Sequence, residues 1–180
     1  MKNIVLTGFM GTGKTEVGKI LAKRLGLVFT DIDRLIEKEQ GMSVSRIFEE
    51  RGENAFRELE AQAVRKVSGM KNLVISTGGG AVLREENIAN LKSSGILICL
   101  TASPEVIFRR IGSGKNRPLL QVPDALRKIK ELLESRRPYY EKSDIVIKTD
   151  RMTPLSAAEE IIGALPHLND ARAGEKNGKC

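Results

Sequence analysis

Asn3-Ile4-Val5-Leu6-Thr7-Gly8-Phe9-Met10-Gly11-Thr12-Gly13-Lys14-Thr15 is the stretch whose reading decides the fold. An apolar run with strand character enters a glycine-rich octet, and Val17, Ile20, Leu21 and Leu25 then recur at helical spacing. A strand turning through Gly-x-x-x-x-Gly-Lys-Thr into a helix is a phosphate-binding loop in its required context. The glycines let successive backbone N–H groups surround a phosphate, and the helix N-terminus adds partial positive charge. Gly11, Thr12, Gly13, Lys14, Thr15 and Glu16 therefore form the expected nucleotide cradle, with Lys14 reaching the β and γ phosphates and Thr15 giving a hydroxyl to Mg²⁺. The bland alternative is a glycine-rich turn with no ligand, and the flanking strand and helix argue against it.

Outward from this loop, short runs rich in Val, Ile and Leu alternate with longer stretches whose apolar residues lie three or four apart. Strands are expected at 3–7, 27–30, 73–77, 96–101 and 145–148, several of them apolar throughout and so buried on both faces. Phe56, Leu59, Ala63 and Val67 mark another amphipathic helix. This alternation predicts an α/β fold around a parallel sheet. Residues 112–124 carry neither period and contain Gly, Ser, Lys, Arg and Pro, which predicts a mobile loop between two helices. Pro166 is expected to end the last helix near Leu165, leaving 169–180 as a disordered polar tail. The expected organisation is a single domain over 1–168.

Composition sets outer bounds. A chain of 180 residues supports one core, and with no Trp and 4% aromatic residues that core must be aliphatic. No apolar run approaches the roughly 18 residues that a membrane span needs, and no charged-then-apolar leader opens the chain, so a cytoplasmic protein is expected. The two cysteines, Cys99 in an apolar run and Cys180 at the end, make no disulfide framework. A net charge of +7 permits nucleic-acid binding, but Lys and Arg are scattered without aromatic interleaving, and a small polyanionic substrate explains the excess equally well.

The remaining acid for a phosphate site must come from outside the third strand, which ends in Ser76 and Thr77. Asp31 and Asp33 follow the second strand, at the edge of a parallel sheet where ligands bind. In an extended segment their side chains would face one side. One carboxylate could hold the metal's water shell while the other accepts a proton from an attacking hydroxyl. An acidic helix start that complements the helix dipole is the alternative. The absence of an Asn-Lys-x-Asp segment excludes a guanine-reading switch protein.

Taken with the octet, several further segments resemble the shikimate kinase family from about residue 3 to 165. They are Asp31-Ile32-Asp33-Arg34-Leu35-Ile36-Glu37, Gly52-Glu53-Asn54-Ala55-Phe56-Arg57-Glu58-Leu59-Glu60, Thr77-Gly78-Gly79-Gly80, Arg117-Pro118-Leu119-Leu120 and Arg136-Arg137-Pro138-Tyr139-Tyr140. Arg46 departs from the family, which usually carries Asp or Glu there, and it is expected to face solvent.

The resemblance implies a P-loop fold like that of the nucleoside monophosphate kinases, with a five-stranded parallel sheet flanked by helices, a substrate-binding helical insertion over 33–60 and a lid over 112–124. It implies transfer of the γ-phosphate of ATP, with Mg²⁺, to the 3-hydroxyl of shikimate by a monomer. Arg57 and Arg136 would clamp the substrate carboxylate, for which the planar guanidinium fork is suited. Glu60 would orient Arg57, Gly79 and Gly80 would let the backbone approach the substrate, and Phe48 and Phe56 would wall its ring. Asp33 would act as base and Asp31 would touch Mg²⁺ through water. Arg117 would arrive with the lid, Arg110 would stack on adenine, and Pro154 would border the same ring. The rivals are a kinase for another small acceptor, such as gluconate or a nucleoside monophosphate, and a non-catalytic nucleotide-binding module.

Overall fold

The structure, a computed structural model, describes residues 2–111, 120 and 122–176, the last eleven by their backbone alone. Arg117, the rest of 112–119 and Cys180 lie outside the described residues. The strands are β1 (Asn3–Thr7), β2 (Val28–Asp31), β3 (Leu73–Ser76), β4 (Gly95–Thr101) and β5 (Ile145–Lys148). The helices are α1 (Lys14–Leu25), α2 (Ile32–Gln40), α3 (Val44–Ser68), α4 (Glu85–Ser94), α5 (Pro104–Ile111), α6 (Ala125–Tyr140) and α7 (Pro154–Lys176), with one 3₁₀ turn at Ala81–Leu83.

The strands form one parallel sheet in the order β2-β3-β1-β4-β5, an order that sequence alone leaves open. The three inner strands are buried on both faces, as their continuous apolar runs predict. Alternation across the pleat feeds two cores. Val5, Leu97 and Cys99 pack with α2 to α6 on one side, while Ile4, Leu6, Ile96, Ile98 and Leu100 pack with α1 and α7 on the other. The edge strands expose Val28 and Val146.

Three sequence expectations change. Asp31 is the last residue of β2 and also the N-cap of α2, its carboxylate accepting from the N–H groups of Asp33 and Arg34. Asp33 therefore sits in the first helical turn and not in an extended segment, because the cap starts the helix one residue earlier than an alternating pattern requires. Thr77 falls just past β3, although its N–H still donates to Leu6 O at 3.0 Å. The final helix does not stop near Leu165: its backbone continues through Pro166 to Lys176. Proline removes one helical hydrogen bond and favours a bend, but neighbouring turns can carry the helix past it.

Candidate active site

The phosphate cradle lies where β1 meets α1. Gly8, Gly11 and Gly13 take φ of 128°, 77° and 100°, values that a side chain at these positions would strain against. Lys14 is held beneath the loop, its Nζ donating to Gly8 O at 2.8 Å and Phe9 O at 2.9 Å. The Thr15 hydroxyl bonds Asp31 Oδ2 at 3.1 Å, so two oxygen donors from separate elements meet at the loop's mouth. Gly11, Gly13, Lys14, Thr15, Glu16, Asp31 and Asp33 all line a recess of about 190 Å³.

That recess adjoins a cavity of about 610 Å³, and the two share Met10, Thr15, Asp31, Asp33, Gly78 and Gly79. The larger cavity is walled by α2, α3, the 78–80 loop and α6. Asp33, Phe48, Phe56, Arg57, Glu60, Gly79, Gly80 and Arg136 all line it, which brings together every residue expected to contact the acceptor. Ser43 caps the start of α3, and Gly52, at φ 80°, kinks this helix between Phe48 and Phe56. The kink puts their rings 4.8 Å apart between centroids.

Charge in this cavity is arranged in opposed pairs. Arg57 donates to Glu60 Oε2 at 2.8 Å and to Glu53 Oε1 at 2.8 Å, and its guanidinium carbon lies 5.4 Å from the Phe56 ring centroid. Burial works against the Arg57 charge, but the two glutamates outweigh it and raise its pKa. Glu60 is 1% exposed, and burial pushes its carboxyl up to about 6 despite Arg57, with Asp33 adding to the rise. Arg57 keeps its charge at any pH of interest, so Glu60 is the member of the pair that titrates. Glu60 Oε1 is buried and has no hydrogen-bond partner among the described residues. Such an acceptor is costly unless a donor reaches it from the cavity.

Close backbone approach explains the glycines. A Cβ on Gly80 would lie 2.5 Å from both terminal nitrogens of Arg57, and one on Gly78 would lie 2.7 Å from Glu60 Oε1 and 2.9 Å from Asp33 Oδ1. Asp33 and Glu60 thus flank a single point of the glycine loop.

A third cavity, of about 320 Å³, lies beyond the cradle and includes Thr12, Glu16, Arg110 and Pro154. Arg110 is tied there to the end of β5, donating to Thr149 O at 2.6 Å and Thr149 Oγ1 at 3.0 Å. Arg46 is exposed and pairs with Glu50, as its expected solvent-facing position allows. Leu120, from the expected lid motif, is buried in the core.

Phe9 and Tyr140 stand inside motifs quoted above without a role of their own, and Thr149 belongs to none of them. Phe9, inside the cradle, lies under Arg136 at 5.4 Å from the guanidinium carbon. Thr149 joins Arg110 to Thr12 O, and Tyr140 bonds Gly79 O at 2.8 Å. Each contact spans a long stretch of chain, so no local pattern announces it. Among the described residues, no cluster of three or more His, Cys, Asp or Glu forms a metal cage, and no helix is long and apolar enough to cross a membrane.

Comparison with known proteins agrees with this geometry. The family model described as shikimate kinase matches residues 10–166. The shikimate kinase of Thermodesulfovibrio yellowstonii is 51% identical over 96% of this chain and 99% of its own length. Among solved structures, shikimate kinase from Acinetobacter baumannii in complex with shikimate superposes with a TM-score of 0.90 at 38% identity, covering 94% of each chain. Shikimate kinase from Aquifex aeolicus gives 0.81 at 40% identity, covering 91% of this chain and 96% of the other. With its P-loop, its five-stranded parallel sheet and these matches along nearly its whole length, this chain belongs to the shikimate kinase family.

Proposed function

We propose that this chain transfers the γ-phosphoryl group of ATP to the 3-hydroxyl of shikimate, giving ADP and shikimate 3-phosphate. The observation that carries the reading is one cavity, opening onto the phosphate cradle, lined by three guanidinium groups, four carboxylates and two phenylalanine rings. Guanidinium forks suit a substrate carboxylate, carboxylates suit hydroxyls, and flat aromatic walls suit a ring. Shikimate, a cyclic triol with one carboxylate, has all three.

In this reading Arg57 and Arg136 hold the substrate carboxylate, and Glu60 keeps Arg57 aimed while its second oxygen accepts from a hydroxyl directly or through water. Gly79 and Gly80 let the backbone approach the ring. Asp33 accepts the proton of the attacking hydroxyl as the new oxygen–phosphorus bond forms and the bond to ADP breaks. Lys14 and the cradle N–H groups hold the β and γ phosphates in line. Arg110 and Pro154 border the adenine, and Arg117, carried by the 112–124 segment, adds positive charge beside the moving phosphoryl group.

The Thr15 hydroxyl and Asp31 Oδ2, 3.1 Å apart, fit Mg²⁺ bound chiefly by phosphates and water, which the small number of protein donors also suits. When bound, Mg²⁺ would neutralise charge on the β and γ phosphate oxygens. The finer reading is a monomer working in the cytoplasm on ATP and shikimate, with 33–60 as the acceptor segment and 112–124 as a lid.

A coupled ADP-release assay offering shikimate, gluconate and AMP in turn tests the proposal. Turnover with shikimate should far exceed the other two and vanish with EDTA. Equal or greater turnover with gluconate or AMP would remove the shikimate assignment and leave the P-loop kinase standing.

A further inference from the structure

Gly78, Gly79 and Gly80 form the least restrained backbone in the acceptor site, because none carries a Cβ to limit its dihedral angles. The Gly78 and Gly80 carbonyls accept from the N–H groups of Ala81 at 3.2 Å and Leu83 at 3.0 Å, and the Gly79 carbonyl between them is held from outside the loop. Tyr140, at the end of α6, is 6% exposed, packs in the core and donates its hydroxyl to Gly79 O at 2.8 Å across 61 residues of sequence.

We propose that Tyr140 is a positioning residue for the acceptor site, setting the plane of the Gly79–Gly80 peptide and hence the direction of the Gly80 N–H. The proposal rests on the reading of this cavity as the shikimate site and adds a residue to it. All described peptides are trans, so a carbonyl and the following N–H point in opposite directions. Fixing Gly79 C=O on Tyr140 turns the Gly80 N–H away from α6.

The other side of Gly79 faces the phosphate cradle and the carboxylate clamp. A Cβ there would sit 3.3 Å from Met10 N, 3.5 Å from Gly8 O and 3.6 Å from a terminal nitrogen of Arg136. The loop is thus wedged between the phosphate cradle and the clamp, and the Tyr140 hydroxyl sets how deep it sits. Arg136 and Tyr140 are four residues apart on α6, so one helix face carries both a guanidinium of the clamp and the hydroxyl that holds the loop opposite it. Burial pushes the Tyr140 hydroxyl up to about 12, and it therefore remains a donor across the working range of pH.

Tyr140→Phe keeps the ring in the core and removes the hydroxyl, which contacts Arg136 as well as Gly79 O, so exchange in the loop is the readout specific to the Gly79 bond. Two readouts separate positioning from plain stability, and they fail independently. Amide hydrogen exchange over 79–81 should accelerate at least tenfold, with β1 amides unchanged. The KM for shikimate should rise roughly five- to twentyfold while the KM for ATP stays within about twofold. An unchanged shikimate KM, or an equal rise in both KM values, would overturn the proposal, as would unaltered exchange in the loop. If the unsubstituted protein does not phosphorylate shikimate, the acceptor reading has failed, and the exchange measurement alone decides whether Tyr140 holds the loop.

Discussion

Arg136 rests on Phe9: the guanidinium carbon on α6 lies 5.4 Å from the centroid of a ring that belongs to the phosphate cradle. Both residues are buried, Phe9 at 1% and Arg136 at 4% exposure, and the Phe9 carbonyl accepts from Lys14 at 2.9 Å. One residue of the cradle thus touches both Lys14 and Arg136, the groups proposed above for the phosphates and for the acceptor carboxylate.

A desolvated cation–π contact is worth on the order of 1–2 kcal/mol. Phe9→Leu keeps apolar volume but removes the aromatic face, so calorimetric titration should show shikimate affinity weakened about five- to thirtyfold with ATP affinity nearly unchanged. Arg136→Ala, which removes the charge itself, should weaken it further. Equal loss of both affinities in Phe9→Leu would mean that the substitution disrupts the cradle.

Asp33→Asn keeps size and most hydrogen bonding while removing proton affinity. Its kcat should fall by roughly two or more orders of magnitude, with ATP binding retained. Steady-state kinetics beside nucleotide titration would check this, and a kcat within tenfold of the parent would deny Asp33 the role of base.

Glu60 makes a signed prediction about pH. Its folded value of about 6 exceeds the ordinary 4.5, so between these values the folded chain holds a proton that the unfolded chain has released. Stability from this group is therefore present at low pH and lost as pH rises through that window. Glu60→Gln removes the effect. In urea titrations the parent should lose roughly 1–2 kcal/mol relative to the variant between pH 4.5 and 7. A constant difference would show that Glu60 titrates normally.

Arg117 and Arg136 should fail in different ways. Arg136 stands on α6 and lines the cavity proposed for the acceptor, so its loss should act mainly on binding. Arg117 is assigned to charge that develops on the phosphoryl group. Arg117→Ala should lower kcat about a hundredfold or more and leave the shikimate Kd little changed. The opposite pattern, weak shikimate binding with intact kcat, would move Arg117 into the acceptor clamp.

Much of this molecule is written locally. The cradle depends on glycines that permit positive φ and on the strand and helix beside them, all within one short stretch. The inner strands show as unbroken apolar runs because both faces are covered, and the helical stripes of α1 and α3 show because each buries one side. Arg57 and Glu60 can be paired from their spacing, since residues three apart share a helix face. The glycine triplet is plain in the sequence, and the structure shows why it is there, since a Cβ on Gly78 or Gly80 would meet Glu60, Asp33 or Arg57.

Tertiary structure decided the rest. Asp33 reaches the site from a helical turn because Asp31 caps that helix, a choice settled by backbone hydrogen bonds rather than by strand alternation. The raised pKa of Glu60 arises from burial against Asp33 and the glycine loop, and burial is not a property of one segment. Phe9 under Arg136, Tyr140 on Gly79 and Thr149 beneath Arg110 each join residues far apart in sequence. Local sequence encodes dihedral preference and periodicity. Contacts between elements exist only once strand order and helix packing bring those elements together, and that order comes from the shared core rather than from any single stretch of chain.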